Sequence, residues 1–155
     1  SHQWRPARMS DRLYPQRPMI GASVAVFREG KVLLAARINT EHAPIYSLPG
    51  GLVEIGETLE EAALRELMEE VGVSARILGF AGHVEVIDRD HEEKVRRHFV
   101  VNAFAAEWVE GEPVTGPEAP HIQWVDPHAI GGIAVTKGLG AILKRAAAVL
   151  TLNDR

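Results

Sequence analysis

The segment from Gly51 to Val73, GLVEIGETLEEAALRELMEEVGV, constrains this chain more than any other. A Pro49-Gly50-Gly51 turn precedes it, Glu54 and Glu57 follow the turn, and a helical run then carries Glu60, Glu61, Glu66, Glu69 and Glu70. At about 100° per residue, Glu70 falls about 40° to one side of Glu66 and Glu69 about 60° to the other. Ala63, Leu64, Leu67 and Val71 fill the adjoining arc, so one face can pack on a core with three carboxylates along its border. Two carboxylates about 4 Å apart repel by roughly 4 kcal/mol at an effective dielectric of about 20, and like charges at this spacing destabilise a helix. Hard divalent cations bound through oxygen offset such repulsion, as they do in phosphate-handling sites. A solvated acidic face competes as a reading of the spacing alone.

Around this segment the pattern alternates between strands and helices. Met19–Phe27 reads as a strand, Glu29-Gly30 as a hairpin turn and Val32–Ala36 as the return strand. Residues 39–43 form a polar loop, and Ile45–Leu48 re-enter the fold. The first helix should run from about Thr58 to Val71, with Thr58 and Glu61 at capping-box spacing and Gly72 at the left-handed C-terminal position. Strands are expected at Ala75–Val86 and Arg97–Glu107, separated by the charged loop IDRDHEEK, and a short strand at Ile122–Val125. A second helix is expected over Thr136–Leu150, with Leu139, Leu143, Ala147 and Leu150 on one stripe. Such an order suggests an α/β fold with a mixed sheet covered on both faces.

The same segment fits the Nudix box: Gly51, five residues, Glu57, seven residues, Arg65-Glu66-Leu67, one residue, Glu69-Glu70, one residue, Gly72-Val73. The chain therefore resembles the Nudix hydrolases, and the match covers 23 residues. The resemblance implies an α/β/α sandwich over residues 18–155 as one domain, with residues 1–17 as an N-terminal arm lying on the surface or against a partner. It also implies magnesium-dependent hydrolysis of a nucleoside diphosphate linked to another group, with manganese as a possible substitute. By resemblance, Glu66 and Glu70 are the firmest metal ligands, and Glu69 is a ligand or the base that deprotonates the attacking water. Glu57 binds a further ion directly or through water, and the Gly51 carbonyl contributes as well. Arg65, four residues after Glu61 and four before Glu69, is assigned to positioning Glu69.

Outside the box the reading is more open. Related enzymes often draw a last carboxylate from a later loop, and Asp88, Asp90, Glu92, Glu93 and Glu118 are the candidates here. Glu92 and Glu93 are preferred because IDRDHEEK joins two strands and could reach over the cleft. Arg37 ends the return strand of the first hairpin, where relatives often place a phosphate-binding arginine. Tyr46 is a candidate wall for a base, although the family often has Trp two residues before Pro-Gly-Gly and this chain has Ser47 there. Ser23, Ser47 and Ser74 have no convincing His/Asp companions, and His42, His83, His91 and His98 show no compact zinc spacing.

Composition limits the remaining classes. With 155 residues, 46% hydrophobic and 25% charged, the chain reads as a single soluble domain. A net charge of -4 and no Lys/Arg stripe argue against a duplex nucleic-acid binder. Cysteine is absent, which removes disulfides and thiolate chemistry and makes a reducing, cytoplasmic setting the expectation. No apolar run approaches membrane-spanning length, and the opening residues lack an apolar signal core. The layout of HFVVNAF and IQWV strands after the box resembles the ADP-ribose pyrophosphatase-like branch, so an ADP-ribose-like small-molecule substrate is favoured. The alternatives are a (deoxy)nucleoside triphosphate pyrophosphatase, with oxidised nucleotides among its candidate substrates, and a nucleotide-binding regulator without turnover. A homodimer is also expected, with Trp4 and Leu13 of the arm offering surface to a second subunit.

Overall fold

The computed structural model describes residues 12–36 and 43–154; Trp4, Arg37 and His42 lie outside the described residues. The elements are β1 (Met19–Arg28), β2 (Lys31–Ala36), β3 (Tyr46–Ser47), β4 (Gly50–Leu52), α1 (Leu59–Val71), β5 (Ser74–Arg89), β6 (Val95–Glu110), β7 (His121–Val125) and α2 (Leu139–Asn153). The strands share one sheet in the order β3-β2-β1-β6-β5, with β4 also on β1 and β7 also on β2. β1 and β6 run parallel from Met19↔Phe99 to Phe27↔Glu107, and the other pairs are antiparallel. The sheet is mixed, as expected.

β1 is central, and its near-continuous apolar run follows from burial on both faces. Ala22, Val24 and Val26 point to a core under α1, where they meet Ala62, Ala63, Leu67 and Val71. Ala25 and Phe27 point the other way, towards Leu139, Ile142, Leu143 and Ala146 of α2. β2 divides similarly, Leu33 and Ala35 lying on the first side and Val32, Leu34 and Ala36 on the second. One helix on each face produces the α/β/α sandwich.

The ends of α1 follow local chemistry. Thr58 caps the first turn by accepting from the Glu61 N–H at 3.1 Å, and the Glu61 carboxylate accepts from the Thr58 N–H at 3.0 Å. Gly72 ends the helix at φ 71°, a left-handed conformation that suits a residue without Cβ, and its N–H reaches the Met68 carbonyl.

Two expectations are corrected. β5 extends into IDRDHEEK as far as Arg89 and β6 begins directly after it at Val95, pairing Ile87↔His98, Asp88↔Arg97 and Arg89↔Val95. Asp90 Oδ1 then accepts from the N–H groups of Glu92 and Lys94 at 2.8 and 3.0 Å, so the acidic stretch becomes a tight hairpin tip. The second helix begins at Leu139 because Gly138 is left-handed at φ 88° and the Thr136 N–H is already donated to the Tyr46 carbonyl. Before β1, the Tyr14 N–H donates to the Arg96 carbonyl and its hydroxyl to Asp90, both at 2.8 Å, tying that segment to the β5–β6 hairpin. No helix among the described residues is long and apolar enough to cross a membrane.

Removing the cap tests how much of α1 rests on its N-terminus. Thr58→Ala should lower unfolding stability by about 1 kcal/mol, measurable by urea denaturation with an unchanged m-value.

Candidate metal and phosphate site

The site is built where α1 approaches β4. β4 pairs with β1 through Ala22↔Gly51 and Ser23↔Gly50. A Cβ at Gly50 would stand 2.5 Å from the Ala22 carbonyl oxygen and 2.7 Å from Ser23 Cβ. At Gly51 it would stand 2.5 Å from Glu66 Cδ and 2.6 and 2.7 Å from the two carboxylate oxygens. Any side chain larger than hydrogen would therefore displace either the strand or the Glu66 carboxylate. The consecutive glycines let the helix bring its acid against strand backbone.

Arg65 organises the approach. Its Nε donates to Glu57 Oε2 at 2.6 Å and its Nη2 to Glu57 Oε1 at 2.8 Å, a two-pronged grip on one carboxylate. Nη2 also donates to the Leu52 carbonyl at 3.0 Å, and Nη1 reaches Glu66 Oε1 at 2.9 Å and Glu69 Oε2 at 3.2 Å. One guanidinium thus links β4, the following turn and α1. The hydrogen bonds to Glu57 are the main reason the Arg65 pKa is raised, with burial opposing them. Reciprocally, Arg65 holds the Glu57 carboxyl below its ordinary range. Glu66 moves the other way: burial pushes its pKa up, Arg65 counters, and the charges of Glu69 and Glu118 add to the rise.

Glu66, Glu70 and Glu118 each present a carboxylate oxygen, and these oxygens lie within 4.8 Å of one another. Glu70 is buried at 8% exposure, whereas Glu118 is exposed. Among the described residues this is the grouping of acids compact enough to hold an ion. Its all-oxygen donors suit a hard cation such as Mg²⁺. Neither Glu57 nor Glu69 belongs to the group. Both Glu57 oxygens are engaged by Arg65, and one also accepts from the Glu54 N–H at 2.9 Å. Glu69 remains about half exposed beside Arg65.

The structure brings in Glu118 where the sequence preferred Glu92 and Glu93. Those two sit at the β5–β6 tip, turned by Asp90, and do not join the group. Glu118 is delivered by the loop between β6 and β7, which is anchored by the Val114 N–H on the Val71 carbonyl at 3.0 Å. Gly116 and Ala119 also exchange backbone hydrogen bonds at 3.2 and 3.1 Å, with Ala119 fully buried. In the sequence Glu118 stands among the candidate carboxylates, next to the small apolar Ala119 that anchors its loop. Tyr46 is likewise placed differently from expectation: its ring belongs to the core under α2, and its hydroxyl accepts from Gln123 Nε2 at 3.1 Å. Its burial serves packing rather than an open wall for a base.

Beyond Gly50 and Gly51 lies a cavity of about 240 Å³ between the β5–β6 strands and the start of α2. Gly51 thus borders both the Glu66 carboxylate and this space.

A sheet between two helices, with a glycine turn and an acidic helix meeting at one edge, defines a class of fold that the comparisons identify. The sequence profile of the NUDIX domain matches residues 17–146, and the chain belongs to the Nudix family. An ADP-ribose pyrophosphatase of Methanocaldococcus jannaschii is 33% identical over 115 residues, covering 74% of this chain and 65% of that protein. An NAD-capped RNA hydrolase, NudC, of Salmonella typhi is 35% identical over 109 residues, covering 70% of this chain but 38% of the relative. The chain thus spans less than two-thirds of either relative. A MutT Nudix hydrolase structure from Burkholderia pseudomallei superposes with a TM-score of 0.68 at 27% identity, covering 84% of this chain and 98% of that one.

The Arg65 grip predicts sensitivity to a change that keeps the charge. Arg65→Lys loses the planar fork and should destabilise the metal-free protein by about 1–3 kcal/mol at pH 7. The Glu57 pKa is depressed in the folded state, so its stabilisation is complete above the ordinary glutamate range and fades as pH falls through the folded value. The difference between native and Arg65→Lys proteins in urea unfolding should accordingly narrow on acidification.

Proposed function

We propose that this chain is a divalent-metal-dependent pyrophosphohydrolase acting on a nucleoside diphosphate linked to a second group, with ADP-ribose-like substrates favoured. The observation that carries this reading is the Glu66–Glu70–Glu118 group beside Arg65, on a family fold whose relatives include a protein named for ADP-ribose. Glu66, Glu70 and Glu118 would hold Mg²⁺ or Mn²⁺. When bound, such an ion neutralises phosphate charge and lowers the pKa of a bound water.

In this reading the protein's own groups divide the remaining work. Glu69 is the base: it is solvent-accessible, adjoins the group in sequence, and is held by Arg65 Nη1. The water oxygen attacks one phosphorus, the bond from that phosphorus to the bridging oxygen breaks, and the water proton passes to Glu69. The departing phosphate keeps the bridging oxygen. No covalent bond to the protein forms. Arg65 and Glu57 act through position, fixing Glu66 and Glu69 without touching substrate. Arg37, outside the described residues, remains our choice for contacting the phosphates.

For ADP-ribose the products are AMP and ribose 5-phosphate. A second reading, hydrolysis of a nucleoside triphosphate to a monophosphate and pyrophosphate, draws on the likeness to the MutT Nudix hydrolase. Chromatography of products from ADP-ribose, NADH, NAD-capped RNA and deoxynucleoside triphosphates separates them. ADP-ribose should lead by at least about tenfold in kcat/KM, equivalent to roughly 1.4 kcal/mol; a triphosphate lead of that size would reject the preference.

Chelation should abolish turnover, and Mg²⁺ or Mn²⁺ should restore it; full activity after verified metal removal would reject the mechanism. Glu118→Gln should retain the native melting temperature without metal, because Glu118 is exposed on its loop, and should lower kcat/KM by at least about tenfold. A variant with native kinetics at limiting metal would remove Glu118 from the site.

A further inference from the structure

The loop that delivers Glu118 leaves β6 through a stem fastened residue by residue. Trp108, near the end of β6, donates from its indole Nε1 to the Gly111 carbonyl at 2.7 Å. Gly111 stands at φ 97°, and a Cβ there would lie 2.4 Å from the Gly72 carbonyl oxygen, so the stem runs against the C-terminal turn of α1. Glu112, the next residue, is taken by Arg28 at the end of β1. Arg28 Nη1 donates to Glu112 Oε2 at 3.0 Å, and Nη2 lies 2.9 Å from Oε1. Val114 follows with its N–H on the Val71 carbonyl.

Exposed ion pairs contribute little when both side chains are free to move, and the Glu112 side chain is 75% exposed. Arg28 differs from that ordinary case because its guanidinium is already seated. Its Cζ lies 3.8 Å from the Trp108 ring centroid and 6.0 Å from that of Trp124. Both tryptophans pack on the core under α1, so the cation rests on a rigid aromatic floor. A planar fork held in this way meets Glu112 with little further ordering. The same hydrogen bonds hold the Glu112 carboxyl below its ordinary range. Packing accounts for the two tryptophans; it does not account for a forked pair on a loop stem.

We propose that Arg28, seated on Trp108, positions Glu118 for the metal by clasping Glu112 and so pre-ordering the loop between β6 and β7. The inference rests on the reading of Glu66, Glu70 and Glu118 as ligands of the ion. Glu66 and Glu70 ride on the packed helix α1, whereas Glu118 stands exposed on a connection, six positions beyond Glu112. A ligand on a loose loop must be ordered when the ion binds, and that entropy cost subtracts from affinity. A stem already held at Gly111 and Glu112 has lost much of that freedom before the ion arrives. Arg28 and Trp108 are positioning residues in this scheme, acting on the ion only through the loop.

Calorimetric titration of the full chain with Mn²⁺, without nucleotide, tests the proposal independently of turnover. Arg28→Met keeps the length of the side chain but loses the fork, and should weaken Mn²⁺ binding by about fivefold. Glu112→Gln, at an exposed carboxylate, should weaken it by about threefold and decides the matter if Arg28→Met does not fold. Trp108→Phe keeps a ring under Arg28 but removes the indole N–H, and should fall in the same range. The combination with Glu118→Gln gives a result that a general loss of structure would not. There Arg28→Met should add less than about twofold, because the ligand it positions is gone. Equal weakening by Arg28→Met in the native and Glu118→Gln backgrounds would overturn the proposal. So would affinities within about twofold of native for both Arg28→Met and Glu112→Gln, which would leave Val114 and Ala119 to hold the loop alone. Native affinity in Glu118→Gln, or no Mn²⁺ binding by the native chain, would reject the three-glutamate reading and the clasp with it. Failure of the Arg28 and Glu112 variants alone would leave that reading standing.

Discussion

A single guanidinium holds the acidic edge of this protein together. Arg65 spans the Leu52 carbonyl, Glu57, Glu66 and Glu69, so strand, turn and helix share one rigid donor. Several carboxylates in so small a volume would otherwise repel one another. The planar fork satisfies Glu57 from two nitrogens while leaving its other edge for the helix acids. Glu66 is therefore held in place despite the burial that pushes its pKa up.

That arrangement depends in turn on close backbone approach. Gly50 lets β4 lie against Ser23 of β1, and Gly51 leaves room for the Glu66 carboxylate. Because β1 is buried on both faces, the strand cannot shift to accommodate a side chain without disturbing the cores under α1 and α2. The site is accordingly as rigid as the sandwich that carries it. More peripheral parts complete the surroundings: the loop carrying Glu118 and the turn before α2. In the proposed reading, packed elements would carry the chemistry and connections would select the substrate, since connections can vary without altering the core.

The α1 region was legible in the chain because its determinants are local. Thr58 and Glu61 cap at a fixed spacing, Gly72 accepts the left-handed turn, and helical periodicity places Glu66 and Glu70 on neighbouring positions. The strand pattern was equally readable in β1 and β2, where side chains alternate between two cores. IDRDHEEK misled because charge implies solvent but not shape: the run forms the end of a long hairpin instead of an open loop. Tyr46 misled because an aromatic ring beside a glycine turn serves packing as readily as stacking.

By itself, then, the sequence determined the acidic helix, its caps, the glycine turn and the family, since each is set by residues close together in the chain. Only the tertiary structure decided that Glu118, 48 positions beyond Glu70, meets the helix acids, and that a cavity opens beside β4. Spacing predicts which side chains share one turn of helix. It carries no information about which distant loop is folded against that helix, because that choice belongs to sheet pairing, to Ala119 sinking into the core and to the backbone bond from Val114 to Val71.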